Sequence, residues 1–117
     1  FIIIDNGWAI SVPSANQTAA KSYGTKAKAY GMPGFDVDGN DAIAVFDAIR
    51  EAAEHARSQQ GPVLVNLRSY RMEGHSSSDD PTRYRNPEEV KYWSARDPLP
   101  RIQRFLGKKG LLISILR

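Results

Sequence analysis

The chain has 117 residues, enough for one domain or part of one. At 41% hydrophobic and 25% charged it has the balance of a folded globular chain, which argues against disorder. Its net charge of +3 forms no basic stripe interleaved with aromatics, which argues against a nucleic-acid partner, and the absence of cysteine excludes disulfides and thiolate metal sites.

In chain order, Phe1 to Ile4 reads as a strand. It is apolar on both faces, as a buried parallel strand is, and so asks for neighbours on either side. Asp5-Asn6-Gly7 follows as a turn, and Trp8 to Pro13 as a loop. Ser14 and Gln17 have capping-box spacing for a short helix. Ala19 to Tyr30 is rich in small residues and moderately helical, interrupted by Gly24. Gly31 to Gly34 is a turn, Gly34 to Val37 a short strand, and Asp38-Gly39-Asn40-Asp41 a second turn. Asp41 is placed to cap a helix running to about Ser58, on which Ala42, Val45, Ile49, Ala52 and Ala56 share one face. His55 falls on the surface of that helix. Gln60-Gly61-Pro62 ends it, and Val63 to Leu67 is another strand. Residues 70–85 form a long polar loop; Pro87 to Trp93 and Pro98 to Leu106 read as short helices. Trp8 and Trp93 read as packing residues.

Strands alternating with helices predict an α/β fold, a partial parallel sheet flanked by helices. The longest apolar runs, Phe1 to Ile4 and Leu111 to Leu116, are too short to span a bilayer, so no membrane is expected as a partner. The opening strand-like run and the apolar close make the chain read as a fragment of something larger.

Ligands of open α/β sheets gather at the carboxyl ends of the strands. Three polar clusters fall there: Asp5-Asn6-Gly7, Asp38 to Asp41, and the 70–85 loop. The first is made of ordinary turn residues, yet its side-chain oxygens and a nearby carbonyl also suit a hard cation such as Mg²⁺. The second reads as a turn and helix cap. The loop holds His75, Ser76, Ser77, Ser78 and several arginines, a set suited to anions. His75 is either a solvated loop residue or one that touches phosphate or moves a proton. The serines form either a solvated turn or a phosphorylation site whose charge would pair with arginine.

Together these residues resemble one family. Asp-Asn-Gly-Trp-Ala-Ile-Ser-Val-Pro at 5–13 resembles the second half of the thiamine diphosphate motif of 2-oxo acid dehydrogenase α-subunits. Tyr23-Gly24, Ala29-Tyr30-Gly31, Val37 to Asp41, Gly61-Pro62, Tyr70-Arg71, His75 to Arg85, Trp93 and Asp97-Pro98-Leu99 follow in the family's order. The resemblance covers residues 1–107 and leaves 108–117 as an atypical tail. It implies the C-terminal part of a thiamine-diphosphate-binding fold, with the upstream Gly-Asp-Gly half of the motif absent.

It also implies roles. Asn6, through its side chain, and Trp8, through its carbonyl, would ligate Mg²⁺; Asn6, Trp8, Ile10 and His75 would contact thiamine diphosphate. His75 would be the catalytic residue, aiding transfer of the acyl group to a lipoyl arm. Arg71, Asp80, Tyr84 and Arg85 would order the loop around the cofactor. Ser76 matches a position phosphorylated in mitochondrial relatives. The implied reaction is oxidative decarboxylation of a 2-oxo acid, with acyl transfer to lipoamide. The implied partners are a β-subunit in an α2β2 assembly and a lipoyl-bearing acyltransferase core, in the bacterial cytoplasm or the mitochondrial matrix.

The His-Ser-Ser-Ser-Asp-Asp loop leans toward branched-chain 2-oxo acids; pyruvate or acetoin enzymes are the alternative. Three positions depart from the family: Asp5 replaces an Asn, Ile4 a diphosphate-binding Arg, and Asn66 a Glu. Ile4, with ends that read as cut and the atypical tail, motivates another alternative, a non-catalytic truncated relic that binds a β-subunit.

Overall fold

The structure is a computed structural model and describes residues 1–111. Among the described residues, five strands and three α-helices run in the order β1 (Ile2–Asp5), β2 (Trp8–Ala9), β3 (Val12–Pro13), β4 (Gly34–Asp38), α1 (Ala42–Arg57), β5 (Leu64–Arg68), α2 (Pro87–Ser94) and α3 (Pro98–Lys108). The architecture is α/β, with a small parallel sheet flanked by helices. The sheet order is β1-β5-β4, and both pairings are parallel.

The central strand is the most buried because it has a neighbour on each side. Val65 and Asn66 are 1% and 0% exposed. Asn66 pairs with Ile3 on one flank and Asp36 on the other, and Arg68 with Asp5 and Asp38. Strand side chains alternate between faces, so this register sorts the sheet into two chemistries. One face carries Ile2, Ile4, Phe35, Val37, Val65 and Leu67. Ile49, Ala52, Ala53 and Ala56 of α1 border Ile2 and Val65 there. The opposite face carries Asp5, Asp36, Asp38, Asn66 and Arg68, together with Ile3 and Leu64.

A 3-10 segment, Gly24–Tyr30, crosses the polar face. It approaches so closely that a Cβ on Gly34 would lie 2.3 Å from the Gly24 carbonyl oxygen. No side chain fits that gap.

The helix starts follow local chemistry. The Asp41 carboxylate accepts from the N–H groups of Ile43 and Ala44 at 3.0 and 3.1 Å, as the sequence predicts. Asn86 and Asp97 cap α2 and α3 in the same way, each followed by a proline whose missing N–H costs nothing at that position.

Other local expectations change. Ser14 caps no helix: its hydroxyl donates to Asp5 Oδ1 at 2.8 Å, a charged acceptor that outcompetes a backbone cap. Ser14–Asn16 is therefore a single 3-10 turn. Residues 8–13, expected as loop, pair as the short antiparallel hairpin β2–β3. His55 is half-buried rather than on the open helix surface. β1, an apolar strand that asks for neighbours on either side in a chain that offers few, has one neighbour among the described residues and leaves Ile2 58% and Ile4 68% exposed. Such an apolar edge is a template for pairing with another chain. The expected tail at 108–117 lies, from residue 112 onward, outside the described residues.

Candidate functional site

The carboxyl end of β1 turns sharply through Gly7, whose φ of +85° favours glycine. Asn6 Oδ1 accepts from the Trp8 N–H at 3.1 Å, and Asp5 Oδ1 from the Gly7 N–H at 3.2 Å. The Ser14 N–H donates to the Gly7 carbonyl at 2.8 Å and closes the β2–β3 hairpin at its base. At its tip Ile10 has φ 55°. A β-branched residue rarely adopts that conformation, and such strain persists only where surrounding contacts hold it.

The contact comes from the 70–85 loop. Arg71 Nη2 donates to the Ile10 carbonyl at 2.6 Å and to the Tyr84 hydroxyl at 3.1 Å, while Nη1 lies 3.5 Å from the Trp8 carbonyl. The Arg71 N–H also donates to the Asn6 carbonyl at 3.0 Å. One arginine thus joins the strained tip, the turn and the far side of the loop. Tyr84 packs against Trp8 with ring centroids 5.3 Å apart. Tyr70 stacks on Trp93 at 5.5 Å with planes 6° apart, and behind it lies Gly7. The two tryptophans, read from sequence as packing residues, both sit against loop tyrosines.

Arg85 fastens the base of the loop. It is 7% exposed, and its guanidinium donates to the carbonyls of Arg71, Met72 at 3.2 Å and Glu73 at 2.9 Å. Asp80 caps the 3-10 turn Pro81–Arg83, accepting from the Thr82 N–H and hydroxyl.

Asp79, not singled out by its sequence context as Asp80 is, does more. Its Oδ2 accepts from the Tyr84 hydroxyl and, at 2.7 Å, from the His75 N–H. The signal was present in the Asp79-Asp80 pair, but only the chain's path decides which carboxylate faces back into the loop. His75 and Ser76–Ser78 are left exposed at the tip. Among the described residues the His75 ring has no hydrogen-bond partner, whereas its backbone is fixed.

The Tyr84 hydrogen bond, then the His75 N–H, hold the Asp79 carboxyl below its ordinary range. Burial, then Asp79, pushes the Tyr84 phenol above its own. At neutral pH Tyr84 is therefore a protonated donor and Asp79 a charged acceptor. A depressed carboxyl pKa supplies order that is complete above the unfolded-state value near 3.8 and is lost as pH falls through the lower folded value. The protection factors of the amides of residues 75–84, taken against the intrinsic exchange rate at each pH, should be high at pH 6 and fall below about pH 4. Asp79→Asn should abolish that pH step.

The Asp38 to Asp41 turn is tied elsewhere. Arg101 of α3 donates to Asp38 at 2.8 Å and Asp41 at 2.6 Å, an arrangement that docks α3 on the start of α1. Among the described residues, no three His, Asp or Glu side chains converge as a metal cluster. A cation at the Asn6 turn would meet neutral oxygens. The Asn6 side-chain oxygen spends one lone pair on Trp8, and the Trp8 carbonyl lies at the edge of hydrogen-bond reach of Arg71. That donor chemistry fits a hard ion arriving with anionic phosphates, which complete its shell.

The dehydrogenase E1 component family model matches residues 1–114. The chain is 49% identical over 111 residues to the 3-methyl-2-oxobutanoate dehydrogenase subunit alpha of Mycobacterium tuberculosis, covering 95% of this chain and 30% of that protein. It is 46% identical over 112 residues to the pyruvate dehydrogenase E1 component subunit alpha of Staphylococcus aureus, with the same coverage. The chain thus spans about three-tenths of the length of the curated relatives it matches.

Proposed function

The chain belongs to the dehydrogenase E1 component family, and from that premise we propose that it serves in the α-subunit of a 2-oxo acid dehydrogenase acting on branched-chain 2-oxo acids. The observation that carries this reading is the junction at Arg71. It joins the turn bearing Asn6 and Trp8 to the loop bearing His75, so two segments that resemble the family's site become one surface.

In this reading the Asn6 side-chain oxygen and the Trp8 carbonyl would hold Mg²⁺, and Ile10, at the strained hairpin tip, would contact thiamine diphosphate. Thiamine diphosphate, when bound, supplies the carbanion chemistry of decarboxylation. The protein's own part is placement. Arg71 and Arg85 hold the loop backbone, Asp79 and Tyr84 fix the peptide at His75, and Asp80 sets the turn that returns the chain. The His75 imidazole, free to rotate, moves a proton during acyl transfer to lipoamide. Ser76, exposed beside it, is a modification site whose added charge would disturb the loop. Residues 1–107 form the functional part. The working assembly is a heterotetramer with a β-subunit, served by a lipoyl-bearing acyltransferase core in the bacterial cytoplasm. Among the described residues no helix is long and apolar enough to cross a membrane.

A pyruvate specificity is the second reading, favoured by the Staphylococcus relative at nearly equal identity. The assembled α–β enzyme should be supplied with thiamine diphosphate, Mg²⁺ and an artificial electron acceptor, then offered 3-methyl-2-oxobutanoate or pyruvate. Faster turnover of 3-methyl-2-oxobutanoate is expected. Preference for pyruvate would transfer the assignment to the second reading, and no turnover of either would defeat the enzymatic one.

A further inference from the structure

A cleft of about 580 Å³ opens on the polar face of the sheet, away from the loop, between the strands and the 14–25 segment. Asn66 forms part of its lining and is 0% exposed. Its Nδ2 donates to Asp36 Oδ1 at 2.8 Å, a carboxylate that can only accept, so the amide orientation is determined. Asn66 Oδ1 is therefore the atom left over. It is buried and accepts no hydrogen bond among the described residues. A buried acceptor without a donor is costly, so this oxygen calls for a donor that the described chain does not provide.

The other groups bordering the cleft define that donor. Asp36 is already engaged on both oxygens, one taking the Asn66 amide and the other the Ser22 hydroxyl. Burial works to raise its pKa, but Ser22, Asn66, the Gly24 N–H and nearby Arg68 outweigh it and hold the carboxyl charged. Asp5 spends Oδ1 on Gly7 and Ser14 and keeps Oδ2 free. Two carboxylates lining the same cleft as an orphaned amide oxygen favour a cationic donor over a neutral hydroxyl. Arg68 and Lys21 also border the cleft, and among the described residues neither has an ion-pair partner. A guanidinium with an ammonium is a receptor for a carboxylate.

We propose that this cleft binds a small zwitterion, a molecule with an ammonium and a carboxylate close together, of which α-amino acids are the simplest class. The ammonium meets Asn66 Oδ1 beside Asp5, and the carboxylate meets Arg68 and Lys21. The site lies on the opposite face of β1 from the Ile2 and Ile4 side chains and shares with the Asn6 turn only Asp5. It does not depend on the proposed dehydrogenase reading, and its test needs no cofactor.

The test is a titration of the ¹⁵N-labelled chain, following the Asn66 side-chain amide and the backbone amides of residues 18–25. The probes are L-alanine, propanoate, which lacks the donor, and lactate, which has a neutral one. Saturable shifts with alanine are expected, with binding weakened about tenfold or more for propanoate and lactate. Arg68→Ala, an exposed change that leaves the core intact, should weaken alanine by a similar factor. Asn66→Val should remove the preference for alanine over propanoate; should that variant misfold, the ligand series and Arg68→Ala decide alone. No saturable shift with alanine, equal binding of all three probes, or alanine binding unchanged in Arg68→Ala would each overturn the proposal. The Asn66 oxygen would then be satisfied by water alone.

Discussion

Replacing His75 with alanine is expected to lower acyl transfer to lipoamide by about 10²- to 10⁴-fold in the assembled enzyme, the span of a lost general acid–base group. The loop should remain folded, because the structure holds this residue by its backbone. Asp79 takes the His75 N–H, and alanine keeps that N–H. Decarboxylation read with an artificial acceptor should fall less than acyl transfer, since only the second involves the lipoyl arm. Two measurements separate function from folding. Lipoamide reduction should collapse, while hydrogen exchange over residues 71–85 stays as in the unsubstituted chain. An unchanged rate of lipoamide reduction would remove His75 from the reaction.

Arg85→Ala should have the opposite signature, a large loss of order with the chemistry-bearing side chains intact. The substitution strands the carbonyls of Arg71, Met72 and Glu73, which share one buried guanidinium. It also removes the cation 5.8 Å from the centre of the Tyr70 ring. Hydrogen bonds to a charged donor and the penalty for leaving acceptors unpaired together suggest a cost of about 2–5 kcal/mol. That is a large part of the ~5–15 kcal/mol by which a typical domain is stable. Arg85→Lys should recover only part of it, because an ammonium lacks the planar fork that spans several carbonyls. Urea denaturation and amide exchange over residues 71–84 give the answer. A loss under about half a kcal/mol, the size of an ordinary surface change, would show that the loop is ordered by other contacts.

These two residues show how far the sequence reaches. Arg85 and His75 were both conspicuous in a loop too polar and too long to be mere connection, and Arg71 and Tyr84 stood with them. What each does was not legible. Arg71 could have faced solvent; its bond to the Ile10 carbonyl spans 61 residues of chain and exists because β1 and β5 are parallel neighbours. Asp79 and Asp80 are chemically identical, and only the loop's return path gives one to Tyr84 and the other to Thr82. Ser14 had the spacing of a helix cap, and a carboxylate nine residues upstream claimed it.

By itself, the sequence determined what depends on neighbours along the chain. The caps at Asp41, Asn86 and Asp97, the amphipathic α1, the strand character of β4 and β5 and the polar loop are all set within a few residues by hydrogen bonding and periodicity. Tertiary structure alone decided what depends on strand order. It put β5 in the centre and so buried Asn66 beside Asp36, with one oxygen unsatisfied. Among the described residues it gave β1 a single neighbour and left Ile2 and Ile4 exposed. It also drew the loop onto the hairpin through Arg71. Periodicity tells a residue which face it occupies, but not which strand lies beside it, and the contacts that join the loop to the hairpin cross between segments far apart in the chain.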